Sequence, residues 1–348
     1  MTTSEICEVQ SVRIYINEHG AKVGISNGKL VVSKNGVKLK SLPAELAESL
    51  LVSSSVQITS QALVFLSSRN TSVSWISDQG KIVCSLLNND ECLSARRKKQ
   101  YALSESRRFC NAFAKKIVYA KIRSQILLLS SLNENCYFPE VEKTISMLSS
   151  AENKCSSGSN AAIRGIEGGT SRMYFSALSF FIDKKFGFSG RNRRPPRDCA
   201  NAALSYSYSV LYNSVDVILR NHGFDTFVGF MHTSQSGHRA LASDMMEIFR
   251  PLITDRAVLD FLNSANIETD FTYNGEAVYL SDKGRKKLIS CFEKAISSAA
   301  SAPDGYEQSC RGLMLYHADM LSSAVDNKDV SRFDPYIEGE SNARSGDI

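Results

Sequence analysis

Apolar and polar positions alternate in short β-branched runs over residues 11–16, 21–25, 29–32 and 37–39, the signature of half-buried strands. His19-Gly20, Asn27-Gly28 and Asn35-Gly36 punctuate these runs, and the Asn-Gly pairs tolerate the positive φ angles that a tight hairpin demands. Residues 51–59, 72–76 and 81–85 read as further strands, the last entered through the turn Asp78-Gln79-Gly80. Between the first two of these, residues 60–67 carry helical spacing. A small, mostly-β domain is expected over residues 1–88.

From Tyr101 onward the apolar period lengthens to about 3.6 residues. Phe109, Phe113, Ile117, Ala120, Ile122 and Leu127 stripe one long helix over 101–132. Further helical patterns cover 140–150, 160–182, 198–221, 240–249 and 255–265. A single hairpin interrupts them, with strands 269–273 and 277–280 around Asn274-Gly275. Helix resumes over 281–298 and 303–325, Pro303 suiting a first turn, and a polar tail, 326–348, follows. The predicted fold class is α+β: the N-terminal β domain, a basic linker at 89–100, and a larger α-helical domain at 101–325.

Composition narrows the function classes. A hydrophobic fraction of 43% is ample for packed cores, so global disorder is excluded. The richest short apolar run, Ile126-Leu127-Leu128-Leu129, stops at Ser130-Ser131, far short of a membrane span, and the N-terminus lacks the apolar core of a secretory signal. Nine cysteines at scattered positions form no Cys-x-x-Cys pair, which reads as free thiols in a reducing compartment. A cytoplasmic location is the expectation.

The formal net charge is only +5, but it is unevenly placed. Arg96, Arg97, Lys98, Lys99, Arg107, Arg108, Lys115, Lys116, Lys121 and Arg123 face only Glu91 and Glu105. A second cluster, Lys184, Lys185, Arg191, Arg193, Arg194 and Arg197, faces Asp183 and Asp198. Such density suits a phosphate backbone, although a solvated helix face accounts for it too. No aromatic ladder accompanies either cluster, which favours double-stranded DNA over base stacking along a single strand.

Three separated segments offer ligands for a hard cation. Glu167 lies between glycines in Gly165-Ile166-Glu167-Gly168-Gly169, where small neighbours allow a ligand or another backbone to approach. His232 ends Gly229-Phe230-Met231-His232. Asp244 and Glu247, three residues apart, share one face of an otherwise apolar helix, where buried carboxylates are expensive without a cation. Oxygen ligands with one imidazole suit Mg²⁺ or Mn²⁺. Other roles would equally account for each residue: a partner of Arg164 or Arg172 for Glu167, a core histidine at His232, a helix-end charge or a partner of Arg250 for Asp244. His19, His222, His238 and His317 are left outside the site.

The order of these segments resembles the CRISPR spacer-acquisition integrase, the CRISPR-associated protein one family. Ile163-Arg164-Gly165-Ile166-Glu167-Gly168, then Arg193-Arg194-Pro195-Pro196-Arg197-Asp198 with Asn201-Ala202-Ala203-Leu204-Ser205-Tyr206, is similar to its catalytic domain. Gly229-Phe230-Met231-His232 followed by Leu241-Ala242-Ser243-Asp244-Met245-Met246-Glu247-Ile248-Phe249-Arg250-Pro251 is the second hallmark. The resemblance covers about residues 10–320. It implies a metal-dependent DNA integrase and endonuclease that joins the 3′-hydroxyl ends of short foreign duplexes into the CRISPR array. It also implies a homodimer, with two such dimers bridged by a dimer of CRISPR-associated protein two. On the family pattern Glu167, His232 and Glu247 hold the metal, Asp244 is a nearby acid, and the catalytic set is these four. Arg96, Arg97, Lys98, Lys99, Arg107, Arg108, Arg193 and Arg194 are the expected DNA-binding residues. A related metal-dependent nuclease or a transposon-borne integrase shares the pattern, and a DNA-binding scaffold without catalysis is the non-enzymatic alternative.

Overall fold

The computed structural model describes residues 12–69, 71–77, 82–86, 94–155, 160–192, 195–232, 237–301 and 307–335. The chain divides into two compact units, Met1–Glu91 and Cys92–Ile348.

Among its described residues the first unit holds two four-stranded sheets. Its elements are β1 (Val12–Ile16), β2 (Lys22–Ser26), β3 (Lys29–Lys34), β4 (Val37–Pro43), β5 (Ala47–Ser53), β6 (Gln57–Ile58), α1 (Ser60–Ser67), β7 (Ser72–Ile76) and β8 (Ile82–Leu86). One sheet runs β1-β5-β7-β8 and the other β4-β3-β2-β6. Both Asn-Gly pairs form the hairpin turns expected of them, with φ of 49° and 70° at Asn27 and Gly28, and 51° and 79° at Asn35 and Gly36. Val23, Leu30, Leu50, Val52, Leu66 and Val73 make the core. The strand expected over 51–59 is instead two, β5 and β6, because the chain turns at Ser54-Ser55. The turn expected at residues 78–80 lies outside the described residues.

The second unit is mostly helical: α2 (Ser94–Ser104), α3 (Arg107–Asn135), α4 (Pro139–Cys155), α5 (Asn160–Leu178), α6 (Cys199–Asn221), α7 (Ala240–Phe249), α8 (Arg256–Ser264), α9 (Ile267–Asp270), the hairpin β9 (Phe271–Asn274) and β10 (Ala277–Leu280), α10 (Asp282–Ile296), the short pair β11 (Ala299–Ser301) and β12 (Glu307–Ser309), and α11 (Cys310–Asp326). The 29-residue α3 is the spine, packed on α4, α5 and α7. Ser106 caps it by accepting from the Phe109 amide, which breaks the single helix expected from residue 101 into α2 and α3. Asp198 caps α6 in the same way through Asn201.

Three further expectations are corrected. The basic segment 89–100 is not a linker along its length: from Ser94 it is α2, which packs on α3 and α11. The helix expected from Pro303 begins only at Cys310, capped by Ser309, because Glu307–Ser309 pairs with Ala299–Ser301. The start of the tail is packed rather than frayed, since Phe333 is fully buried with its ring stacked 5.0 Å from Phe113. Residues 336–348 lie outside the described residues.

Candidate active site

Every residue of α7 is buried, its two carboxylates included. That is sustainable only where each carboxylate meets donors or opposite charge, and the two are answered differently, Asp244 by hydrogen bonds and Glu247 by ion pairs. Asp244 accepts backbone amides from Phe230 at 2.8 Å, Met231 at 3.0 Å and His232 at 2.8 Å. It also receives His232 Nδ1 at 2.7 Å. With its oxygens committed in this way, Asp244 is an orienting group: it folds the 230–232 segment over the α7 N-terminal half and fixes the imidazole. The hydrogen bond to Asp244 is the main reason that the His232 imidazole is held above its ordinary pKa, against the opposing effect of burial. With Nδ1 as the donor, Nε2 becomes the lone-pair nitrogen, the arrangement common to metal-ligating histidines backed by a carboxylate.

Glu247, one helical turn along, is 3% exposed. Its Oε1 meets Arg250 Nη1 at 2.6 Å and its Oε2 meets Lys121 Nζ at 2.9 Å. Burial by itself would raise this carboxyl, but Arg250 and then Lys121 outweigh it and hold Glu247 down at about 2. Lys121, on α3, also makes an ion pair with Glu167 Oε1. One buried ammonium therefore joins the carboxylates of α5 and α7. Ser171 Oγ reaches Glu167 Oε1 as well, at 3.4 Å. A Cβ added at Gly165, Gly168 or Gly169 would meet nothing within 4 Å, so the glycines around Glu167 leave open space rather than seat another backbone.

The sequence-level pairings are revised accordingly. Glu167 pairs with Lys121 rather than Arg164 or Arg172, and Arg250 pairs with Glu247 rather than Asp244. Lys121 links Glu167 to Glu247 and Asp244 binds His232, while among the described residues no three His, Cys, Asp or Glu side chains converge as a ready-made ligand set. The Lys121 ammonium stands where the Glu167 and Glu247 oxygens meet. These oxygens thus already accommodate positive charge, and carboxylates are hard donors of the class that Mg²⁺ or Mn²⁺ takes.

Behind the site lies a polar layer that spacing does not reveal. The Arg250 guanidinium lies over the Tyr208 ring at 4.9 Å. Tyr208 and Tyr174 each donate to Asp255 at 2.6 Å. Burial pushes Asp255 up to about 6, with both phenols and Arg250 opposing the rise. His238, which the sequence leaves outside the site, has its ring 6.3 Å from that of His232 and its Nε2 3.2 Å from Ser243 Oγ. No local signal marks Lys121, which sits in a run of basic residues and looks like one more of them.

The basic residues divide. Arg96 binds Asp326 through Nε at 3.2 Å and donates from Nη1 to the His222 carbonyl. Lys99 donates to the Asp326 carbonyl at 2.8 Å, and Arg97 to that of Gly223 at 3.2 Å. These three are largely spent on holding α2 to α6 and α11. Lys98, Arg107 and Arg108 are exposed, whereas Arg193 and Arg194 lie outside the described residues. Among the described residues no helix is long and apolar enough to cross a membrane.

A family model described as CRISPR associated protein Cas1 matches residues 14–294. The chain is 33% identical over 334 residues to a CRISPR-associated exonuclease Cas4/endonuclease Cas1 fusion of Rhodospirillum rubrum, with 93% of this chain and 57% of the fusion covered. It thus spans little more than half of that relative. It is 31% identical over 324 residues to a CRISPR-associated endonuclease Cas1 of Thermus thermophilus, covering 93% of this chain and 98% of that one. Among solved structures, a casposase bound to integration product aligns with a TM-score of 0.79 at 22% identity, covering 95% of this chain and 96% of that one. A Cas1 protein from Thermotoga maritima aligns with a TM-score of 0.75 at 20% identity, covering 90% and 96%. At these identities the structural likeness speaks for the fold: a strand-rich N-terminal part followed by a mostly helical one.

Proposed function

The chain belongs to the CRISPR-associated protein Cas1 family, and from that premise we propose that it is a metal-dependent DNA integrase and endonuclease of CRISPR adaptation, joining the 3′-hydroxyl ends of short duplexes into the CRISPR array by transesterification. The observation that supports this best is the joining of Glu167 and Glu247 on one cation beside a His232 oriented by Asp244.

The reaction asks little covalent chemistry of the protein, since the attacking group is the DNA's own 3′-oxygen. Glu167, Glu247 and His232 would hold a Mg²⁺ or Mn²⁺ ion, which supplies charge neutralisation at the scissile phosphate and at the leaving oxygen. Asp244 keeps His232 in the tautomer that offers Nε2. Arg250 helps to hold Glu247 ionised. The exposed Lys98, Arg107 and Arg108 suit sequence-independent contact with DNA phosphates, as capture of varied duplexes requires. The assembly in this reading is a homodimer, two of them bridged by a dimer of CRISPR-associated protein two, acting in the cytoplasm.

The test uses the full chain, its small partner protein, a short DNA duplex and a supercoiled plasmid carrying a repeat, with Mn²⁺ or with EDTA. Metal-dependent joining is expected, and Glu167→Ala and His232→Ala should each lower it at least about a hundredfold while duplex affinity holds. Cutting without joining would point instead to the nuclease relative. Full activity in both variants would remove these residues from the site.

A further inference from the structure

Lys121 is the one basic residue of the 96–123 run with its side chain almost wholly buried, 5% exposed. It projects from the middle of α3, flanked by the fully buried Ala120 and the equally buried Ile122. Its ammonium serves two carboxylates from two other helices, Glu167 of α5 and Glu247 of α7, the latter at 2.9 Å. A lysine is rarely buried this deeply unless charge demands it. Here the demand is plain: without Lys121, Glu247 would keep Arg250 as its ion-pair partner among the described residues, and Glu167 would lose the ion-pair partner it has there.

The same oxygens are the ones proposed to hold a divalent ion, and on that reading a conflict of charge arises. An ammonium at hydrogen-bond distance from both carboxylates would stand within about 4 Å of an ion bound between them, where like charges repel strongly in a poorly screened interior. Both cations cannot use these oxygens at once. Arg250 does not raise the conflict in the same form, because it engages the opposite oxygen, Oε1, of Glu247. A lysine's compact charge on a flexible four-carbon stem can withdraw, whereas a guanidinium fork is less easily moved.

We propose that Lys121 is an internal counter-cation that occupies the place between Glu167 and Glu247 in the metal-free protein and is displaced when the divalent ion binds. The carboxylates are thereby held close to one another without metal, and the site's affinity for metal is set partly by the work of removing the ammonium. Lys121 is in this sense a positioning residue.

The experiment is a Mn²⁺ titration of the full chain followed by electron paramagnetic resonance, on wild type, Lys121→Met, Lys121→Gln and Glu167→Ala. Circular dichroism and thermal melting in EDTA establish that each variant is folded. The expected result is a Mn²⁺ site lost in Glu167→Ala and bound about tenfold more tightly in Lys121→Met. Lys121→Met should also melt lower than wild type in EDTA and recover more on adding Mn²⁺. If Lys121→Met does not fold, Lys121→Gln, which keeps a donor for the carboxylates but no charge, carries the same expectation. Unchanged or weaker Mn²⁺ binding in a folded variant overturns the displacement and makes Lys121 a permanent support of the ligands. Wild-type protein with no Mn²⁺ site sensitive to Glu167→Ala overturns both the displacement and the metal reading beneath it.

Discussion

Gly229 has no room for a side chain: a Cβ there would stand 2.8 Å from Asp244 Oδ2 and 2.9 Å from the Ala240 backbone. The glycine is what lets the 230–232 amides close on the buried carboxylate. Gly229→Ala should therefore destabilise the fold by about 1–3 kcal/mol and disturb the His232 seat. Urea unfolding reads the first effect, and a strand-joining rate that falls while duplex affinity holds reads the second. Asp255 makes a different prediction. Its folded pKa of about 6 lies above the unfolded value of 3.8. Between these the folded protein keeps a proton that the unfolded chain has lost, so the group favours folding increasingly as pH falls from about 6 towards 4. Above 6 its buried charge is a burden. The stability difference between wild type and Asp255→Asn should thus shift in favour of wild type on going from pH 8 to pH 4, by about 3 kcal/mol at most. A difference independent of pH would mean that Asp255 titrates normally.

At the scale of the element, α2 and the first turn of α3 show how a charge run can be two things. Arg96 and Lys99 hold Asp326 at the end of α11, whose carboxyl is lowered chiefly by the Arg96 hydrogen bond. Lys98, Arg107 and Arg108 are exposed. Reversing these last three to Glu is expected to weaken duplex binding and flatten the dependence of log affinity on log salt, by roughly one unit of slope for each DNA phosphate no longer neutralised. Arg96→Ala should instead lower the melting temperature with a smaller effect on that slope. Equal slopes for the triple variant and wild type would assign those residues to a solvated face. Spacing cannot make this division, because helical periodicity reports which face is apolar and says nothing of where a distant acid folds to. The short strands β11 and β12 escape the sequence pattern for a related reason: three-residue runs carry too little alternation to stand against the helical pattern that follows them. α7, by contrast, is legible to the residue, since Pro251 and the Ser- and Gly-containing stretch at 234–237 bound a mostly apolar run broken at Ser243, Asp244 and Glu247.

For the whole molecule, the change from period 2 to period 3.6, the Asn-Gly turns and the Glu167, His232, Asp244 and Glu247 segments in their order are all present in the sequence, and they determine a strand-rich part, a helical part and four candidate site residues. Local chemistry carries that much, because turn dihedrals and amphipathic faces are set by neighbours a few residues away. What each of the four pairs with is decided only in three dimensions. Asp244 becomes the orienting acid by accepting amides more than ten residues earlier in the chain, and Lys121 becomes the partner of carboxylates 46 and 126 residues later. Charge pairing depends on distance through space and on the loss of water around the pair, and neither exists until the helices pack.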